Sequence, residues 1–120
     1  MGGEPSFFEL GVRDAERGRS FYEALFGWRM EPGKSGAGFA ITTAGAPGGI
    51  HGDDPEASPY LFFAVDDIDA AIARVRELGG TVDESDHGEE GDEDSIARFG
   101  RFRLCRDDQG SLFGLRQPPS

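Results

Sequence analysis

The sequence predicts an α+β fold made of two copies of one strand–helix–three-strand (βαβββ) unit. Three observations carry that prediction. The chain repeats itself at an offset of 53 residues, pairing Phe7 with Tyr60, Val12 with Val65, Asp14 with Asp67 and Gly27 with Gly80. Apolar periodicity switches from strand-like to helix-like at the same point of each repeat. Glycines close both helical stretches, Gly27 in the first and Gly79-Gly80 in the second, as residues free to take the left-handed conformation do.

Each half opens on a strand, Phe7-Phe8-Glu9-Leu10-Gly11-Val12 and Tyr60-Leu61-Phe62-Phe63-Ala64-Val65. Both run to an aspartate suited to accept from the free amides of a first helical turn. The helices follow: Gly18, Phe21, Tyr22 and Leu25, and then Ile68, Ala71, Ile72 and Val75, fall at i, i+3, i+4, i+7. Each set predicts one apolar stripe pressed on a sheet. Strands resume at Trp28 and Thr81. Beyond them the offset grows to 63, pairing Phe39 with Phe102, Ile41 with Leu104 and Ile50 with Phe113. The ten extra residues are assigned to an acidic loop insertion at residues 83–96. The chain thus divides into a first module at about residues 5–52 and a second at about 58–118, within one domain spanning 1–120.

Composition narrows the function classes. With 37% hydrophobic residues and ten Phe, the 120 residues can build a real core. Twenty-three acidic against twelve basic residues give a net charge of −11, which repels nucleic-acid phosphates and anionic membranes and favours a cationic partner. Eight of the acids lie in residues 83–94 and read as a solvated loop, with His87 among them. No apolar run is long enough to cross a bilayer, and the opening residues lack the basic-then-apolar pattern of a leader. A cytoplasmic protein is expected. The lone Cys105 is read as a packed strand residue in a reducing compartment.

The segment from Asp14 to Met30, with Ser20-Phe21-Tyr22-Glu23-Ala24-Leu25-Phe26-Gly27-Trp28, is similar to the first-module signature of the glyoxalase/bleomycin-resistance (vicinal oxygen chelate) superfamily. The second half agrees independently through Val65-Asp66-Asp67-Ile68, Gly79-Gly80, Gly100-Arg101-Phe102 and Asp107-Asp108-Gln109-Gly110, with Asp108 where proline is common. The resemblance implies that the two modules form a half-open curved sheet around a ligand cleft. It also implies a homodimer and, in many members, one divalent metal held by His or Glu from the first and last strands of each module. Carried over, those positions are Phe7, His51, Tyr60 and Gly114. Phe and Gly side chains offer no donor, and Tyr60 would have to lose a proton near its ordinary pKa of about 10. No metal and no cofactor are therefore expected, and metal-dependent glyoxalase or dioxygenase activity is disfavoured.

If Phe7 points into the implied cleft, alternation brings Glu9 and Gly11 with it and leaves Phe8, Leu10 and Val12 for the helix layer. The expected ligand-binding residues are Phe7, Glu9, His51, Tyr60, Phe62, Leu112 and Arg116. An aromatic lining with a few polar groups suits a flat or amphipathic small molecule. Glu9 could orient a ligand amine or act as a general base. Its bland alternative is a structural carboxylate paired with Arg116 or Arg103, or one turned to solvent. His51, at a strand end before Gly52, is a second candidate base, or a half-exposed histidine making one hydrogen bond. Glycine loops for phosphate, a nucleophile elbow and an EF-hand are all absent as patterns. Three functions stay open: sequestration of a small aromatic or cationic compound, a metal-independent isomerase or lyase using Glu9 or His51, and an interaction module with a vestigial cleft.

Overall fold

The computed structural model describes residues 2–33, 38–54, 58–83 and 93–119. Its elements run β1 (Pro5–Gly11), α1 (Ala15–Phe26), β2 (Arg29–Pro32), β3 (Gly38–Thr42), β4 (Gly48–His51), β5 (Pro59–Ala64), α2 (Ile68–Glu77), β6 (Thr81–Val82), α3 (Glu93–Phe99), β7 (Arg101–Arg106) and β8 (Leu112–Gln117). The chain forms two compact units, Phe7–Tyr60 and a second made of Met1–Ser6 with Leu61–Ser120. The α+β class and the repeated strand–helix–three-strand order are as predicted. The boundary differs at the N-terminus, whose residues join the second unit: Gly3 N–H donates to Ala64 O at 2.7 Å, and Ala64 N–H to Glu4 O at 2.8 Å.

In the first unit the strand order is β2-β3-β4-β1, with β4 parallel to β1 and the other neighbours antiparallel. The second repeats it as β5-β8-β7-β6, with β8 parallel to β5. Asp14 and Asp67 begin equivalent helices: the Asp14 side chain accepts from Arg17 N–H, and that of Asp67 from Asp69 and Ala70 N–H. Gly27 ends α1 in the left-handed conformation at φ 73°. The inner faces also alternate as expected. Phe8, Leu10 and Val12 share one core with Ile41 and Ile50, while Ile68, Ile72, Cys105 and Leu115 form another. No helix among the described residues is long and apolar enough to cross a membrane.

Hydrogen-bond register corrects the later part of the repeat. Glu9 pairs with Gly49 across β1 and β4, and Phe62 pairs with Gly114 across β5 and β8. Val12 N–H donates to His51 O as Val65 N–H does to Arg116 O. The counterpart of Gly114 is therefore Gly49, and the counterpart of His51 is Arg116. Core positions agree, since Ile50 matches Leu115 and Ile41 matches Cys105, all buried. Aligning aromatic residues had misplaced these strands because a buried position accepts any apolar side chain, whereas the ladder fixes the register residue by residue.

Two further expectations change. Gly18 and Tyr22 do face the sheet: a Cβ on Gly18 would stand 2.7 Å from Ile50 Cδ1, and Tyr22 packs on the first core. Phe21 and Leu25, expected on the same stripe, are instead 60% and 58% exposed. Seating the helix closely through Gly18 leaves its flank outside. The acidic insertion is not loop throughout, because Glu93–Phe99 forms α3, which stops at Gly100 with φ 92°. Residues 84–92, including His87, lie outside the described residues.

Candidate functional site

The parallel pairing of β1 with β4 sets Glu9 opposite Gly49 and Gly11 opposite His51. Two glycines in this register leave room for long side chains to lie along the sheet. A Cβ on Gly49 would stand 2.7 Å from Glu9 Oε1, so the Glu9 carboxylate occupies the space that a larger residue would fill. Its other oxygen, Oε2, is 2.6 Å from His51 Nδ1. On the far side of the ring, His51 Nε2 is 3.1 Å from Asp54 Oδ2. Glu9 thus pairs with His51, and His51 has two carboxylate partners rather than one hydrogen bond.

Asp54 reaches the ring by a tight return of the chain. Asp53 N–H donates to Arg13 O at 2.9 Å, and Asp54 N–H donates to Val12 O at 3.0 Å, pinning the turn to the end of β1. Asp53 adopts a left-handed φ of 56°, which aspartate tolerates better than most residues. The Asp54 carboxylate then lies where a side chain at position 11 would be. A Cβ on Gly11 would overlap Asp54 Oδ2 and stand 2.9 Å from its Cγ. Sequence reading missed both Asp54 and the role of Gly11. The available signal was Asp54 three residues beyond His51 across Gly52, with a glycine two residues after Glu9.

The electrostatics follow from this row. The hydrogen bond to Glu9 raises the His51 pKa most, burial opposes it, and the charges of Glu9 and Asp54 add to the rise. The ring is held toward imidazolium, in which both nitrogens donate. Tyr60 is pushed above its ordinary range, first by burial and then by the negative charge of Glu9 and Asp54. Its hydroxyl therefore stays protonated as a hydrogen-bond donor. The row is partly open, with side-chain exposures of 36% for His51, 18% for Glu9 and 22% for Asp54. Among the described residues nothing donates to Glu9 Oε1, so one carboxylate oxygen remains as an acceptor.

The remaining predicted residues divide. Phe7 is buried on the same strand as Glu9. In the second unit, Phe62 is buried, meets Phe102 edge-on at 5.1 Å, and fills the space above Gly114, where a Cβ would overlap its ring. Arg116, expected to line a cleft, is 8% exposed and spends its guanidinium on backbone. Its Nε donates to Phe99 O and its Nη1 to Ser6 O, each at 2.8 Å, fastening α3 and the N-terminal residues to β8. Burial lowers its pKa. Leu112 is exposed at the start of β8. Cys105 is buried with its thiol pushed up to about 11 by burial, so it is a packing residue.

The positions that the resemblance implies for a divalent ion do not fit one. Phe7 offers no donor, the Tyr60 phenol keeps its proton, and Phe62 fills the space a side chain at Gly114 would need. His51 stands two residues along β4 from the true counterpart of Gly114, and its nitrogens are in direct contact with Glu9 and Asp54. Useful binding takes about three or more donors aimed at one point.

Comparison with known proteins agrees with the fold. The chain matches the Glyoxalase-like domain family over residues 7–115. It is 31% identical over 138 residues to the anthracycline biosynthesis protein DnrV of Streptomyces peucetius, covering 94% of this chain and 46% of that protein. It is 30% identical over 128 residues to CFP32 of Mycobacterium tuberculosis, named provisionally as a glyoxylase, covering 96% of this chain and 46% of that protein. The chain spans about half the length of the curated relatives it matches. Among solved structures, methylmalonyl-CoA epimerase from Mycobacterium tuberculosis superposes with a TM-score of 0.63 at 18% identity, covering 98% of this chain and 89% of that one.

Proposed function

Because the chain belongs to the glyoxalase-like domain family, of the vicinal oxygen chelate superfamily, we propose that it binds a small organic cation without the metal used by many members. The observation that carries this reading is the row Glu9–His51–Asp54, one imidazole ring between two carboxylates, with Glu9 Oε1 still able to accept. A ligand amine or amidinium would donate to Glu9 Oε1 as a charge-assisted hydrogen bond. A relative named for anthracycline biosynthesis supports the class, since a planar polycyclic compound bearing a basic amine is what such a site would take. A second reading is favoured by the juxtaposition of the Glu9 carboxylate with the protonated Tyr60: this base and acid could move a proton beside a carbonyl. His51 is the weaker base of the two candidates, because both its nitrogens are engaged.

A thermal-shift screen with planar aromatic amines and their neutral isosteres tests the proposal. Ligand at about a hundred times its dissociation constant adds roughly 2.7 kcal/mol of stability. The amines are expected to stabilise the protein more than their isosteres, and Glu9→Gln to weaken them about tenfold or more, the worth of a charge-assisted hydrogen bond. Amines that bind the variant and the wild type equally would remove Glu9 from the site. A compound turned over by the wild type, and bound but not turned over by Glu9→Gln, would favour the second reading.

A further inference from the structure

We infer that the hollow between the end of α2 and the turn joining β7 to β8 is a second ligand site, suited to a small primary ammonium that carries one apolar ring. It is a cavity of about 370 Å³ lined by Val75, Leu78, Gly80, Asp107, Asp108 and Phe113, within the roughly 300–1,000 Å³ of small-molecule pockets. Every lining residue lies in the second unit, whereas Glu9, His51 and Asp54 lie in the first. The two sites share no residue.

Local geometry shapes the hollow. Past Leu78, which caps α2, the chain turns back through Gly79 at a φ of 95° and Gly80, whose N–H donates to Val75 O at 2.9 Å. A Cβ on Gly80 would stand 2.5 Å from Arg106 O and 2.8 Å from Val75 Cγ1, so this glycine lets the helix end sit directly on the end of β7. The facing turn is held by Asp107, whose Oδ1 accepts from Gln109 N–H at 2.8 Å and from Ser111 N–H at 3.0 Å. The bonds from Ser111 and Gln109 lower its pKa and keep it ionised. Asp108 stands beside the helix end, with its Cβ 3.6 Å from where a Cβ on Gly79 would be.

Walls and rim together select the ligand. The walls are apolar: Val75 and Phe113 pack against the second core, and Leu78, at 61% exposure, extends them to the surface. The rim is anionic. Among the described residues no ion pair involves Asp107 or Asp108, while Arg106 gives its Nη1 to Gly110 O at 2.9 Å and Arg74 pairs with Glu77 at 3.1 Å. The carbonyl end of α2 adds partial negative charge, and the net charge of −11 draws cations in and turns anions away. An ammonium at the rim meets the carboxylates while its ring covers Val75, Leu78 and Phe113.

A titration followed by backbone amide shifts tests this, because it reads each unit separately. Phenethylammonium, added from roughly 0.1 to 20 mM, is expected to move residues 75–80 and 107–113 on one saturating curve that Glu9→Gln leaves unchanged. Phenethyl alcohol, close in shape but uncharged, is expected to bind there about threefold or more weakly. Asp108→Asn should weaken the ammonium by about two- to fivefold, as loss of an exposed ion pair does, and reduce the salt dependence of its binding. Leu78→Ser should weaken both probes by about fivefold. Both side chains are exposed, so the far-UV spectra of the variants should match that of the wild type. Shifts that do not saturate in these two segments, equal binding of the ammonium and the alcohol, or an affinity that neither Asp108→Asn nor Leu78→Ser alters would overturn the inference. A curve that Glu9→Gln abolishes would overturn it as well, by making these segments an echo of the first site.

Discussion

Gly114→Ala is expected to lower the stability of the protein by about 3 kcal/mol, at the upper end of what one added methyl costs in a tight core. The new Cβ would overlap the Phe62 ring, which is 4% exposed and braced edge-on by Phe102. A buried aromatic held in this way can yield only by leaving its rotamer or by parting β5 from β8. The counterpart substitution makes the contrast. Gly49→Ala meets the far end of Glu9, a flexible side chain, so it should cost under about 1 kcal/mol while displacing the carboxylate from its place. Urea unfolding of the two variants measures both. Equal losses would mean that the two glycines are not held as the strand register places them.

His51→Ala is expected to cost about 2 kcal/mol at pH 6, since it leaves two partly buried carboxylates facing each other without their shared donor. The effect should depend on pH with a definite sign. The folded-state pKa of His51 is raised by Glu9 and Asp54, so its contribution is fully present below the unfolded value of about 6.5 and is lost as pH rises through the folded value. The gap between wild type and variant should therefore narrow between pH 6 and 9. A gap that stays constant over that range would show that His51 is not held as the cation.

Much of the fold was legible because its signals are local. An aspartate cap, a helical stripe and a closing glycine recur at the same offset, and each is a statement about a few neighbouring residues. The register of β7 and β8 was less legible, since Phe102 and Phe113 resemble Phe39 and Ile50 in sequence without occupying their places in the ladder. The exposure of Phe21 and Leu25 escaped for a related reason: periodicity gives the width of an apolar stripe, not how far a glycine such as Gly18 lets the helix turn and settle. At the site, alternation correctly grouped Glu9 with Gly11 and kept both off the helix-facing side of β1. It could not supply Asp54, which reaches His51 through a left-handed residue at Asp53 and backbone bonds to Val12 and Arg13. Arg116 was misread because its partners, Phe99 O and Ser6 O, are backbone atoms remote in sequence.

The reading of the site rests on His51 being held as a cation between Glu9 and Asp54, and a ¹⁵N titration of its ring measures that directly. In the wild type its pKa should lie above the ordinary value of about 6.5, with both nitrogens protonated at pH 6. Gly11→Ala, by displacing the Asp54 carboxylate, should lower it while leaving the contact with Glu9. A wild-type pKa at or below the ordinary value, unmoved by Gly11→Ala, would contradict the account.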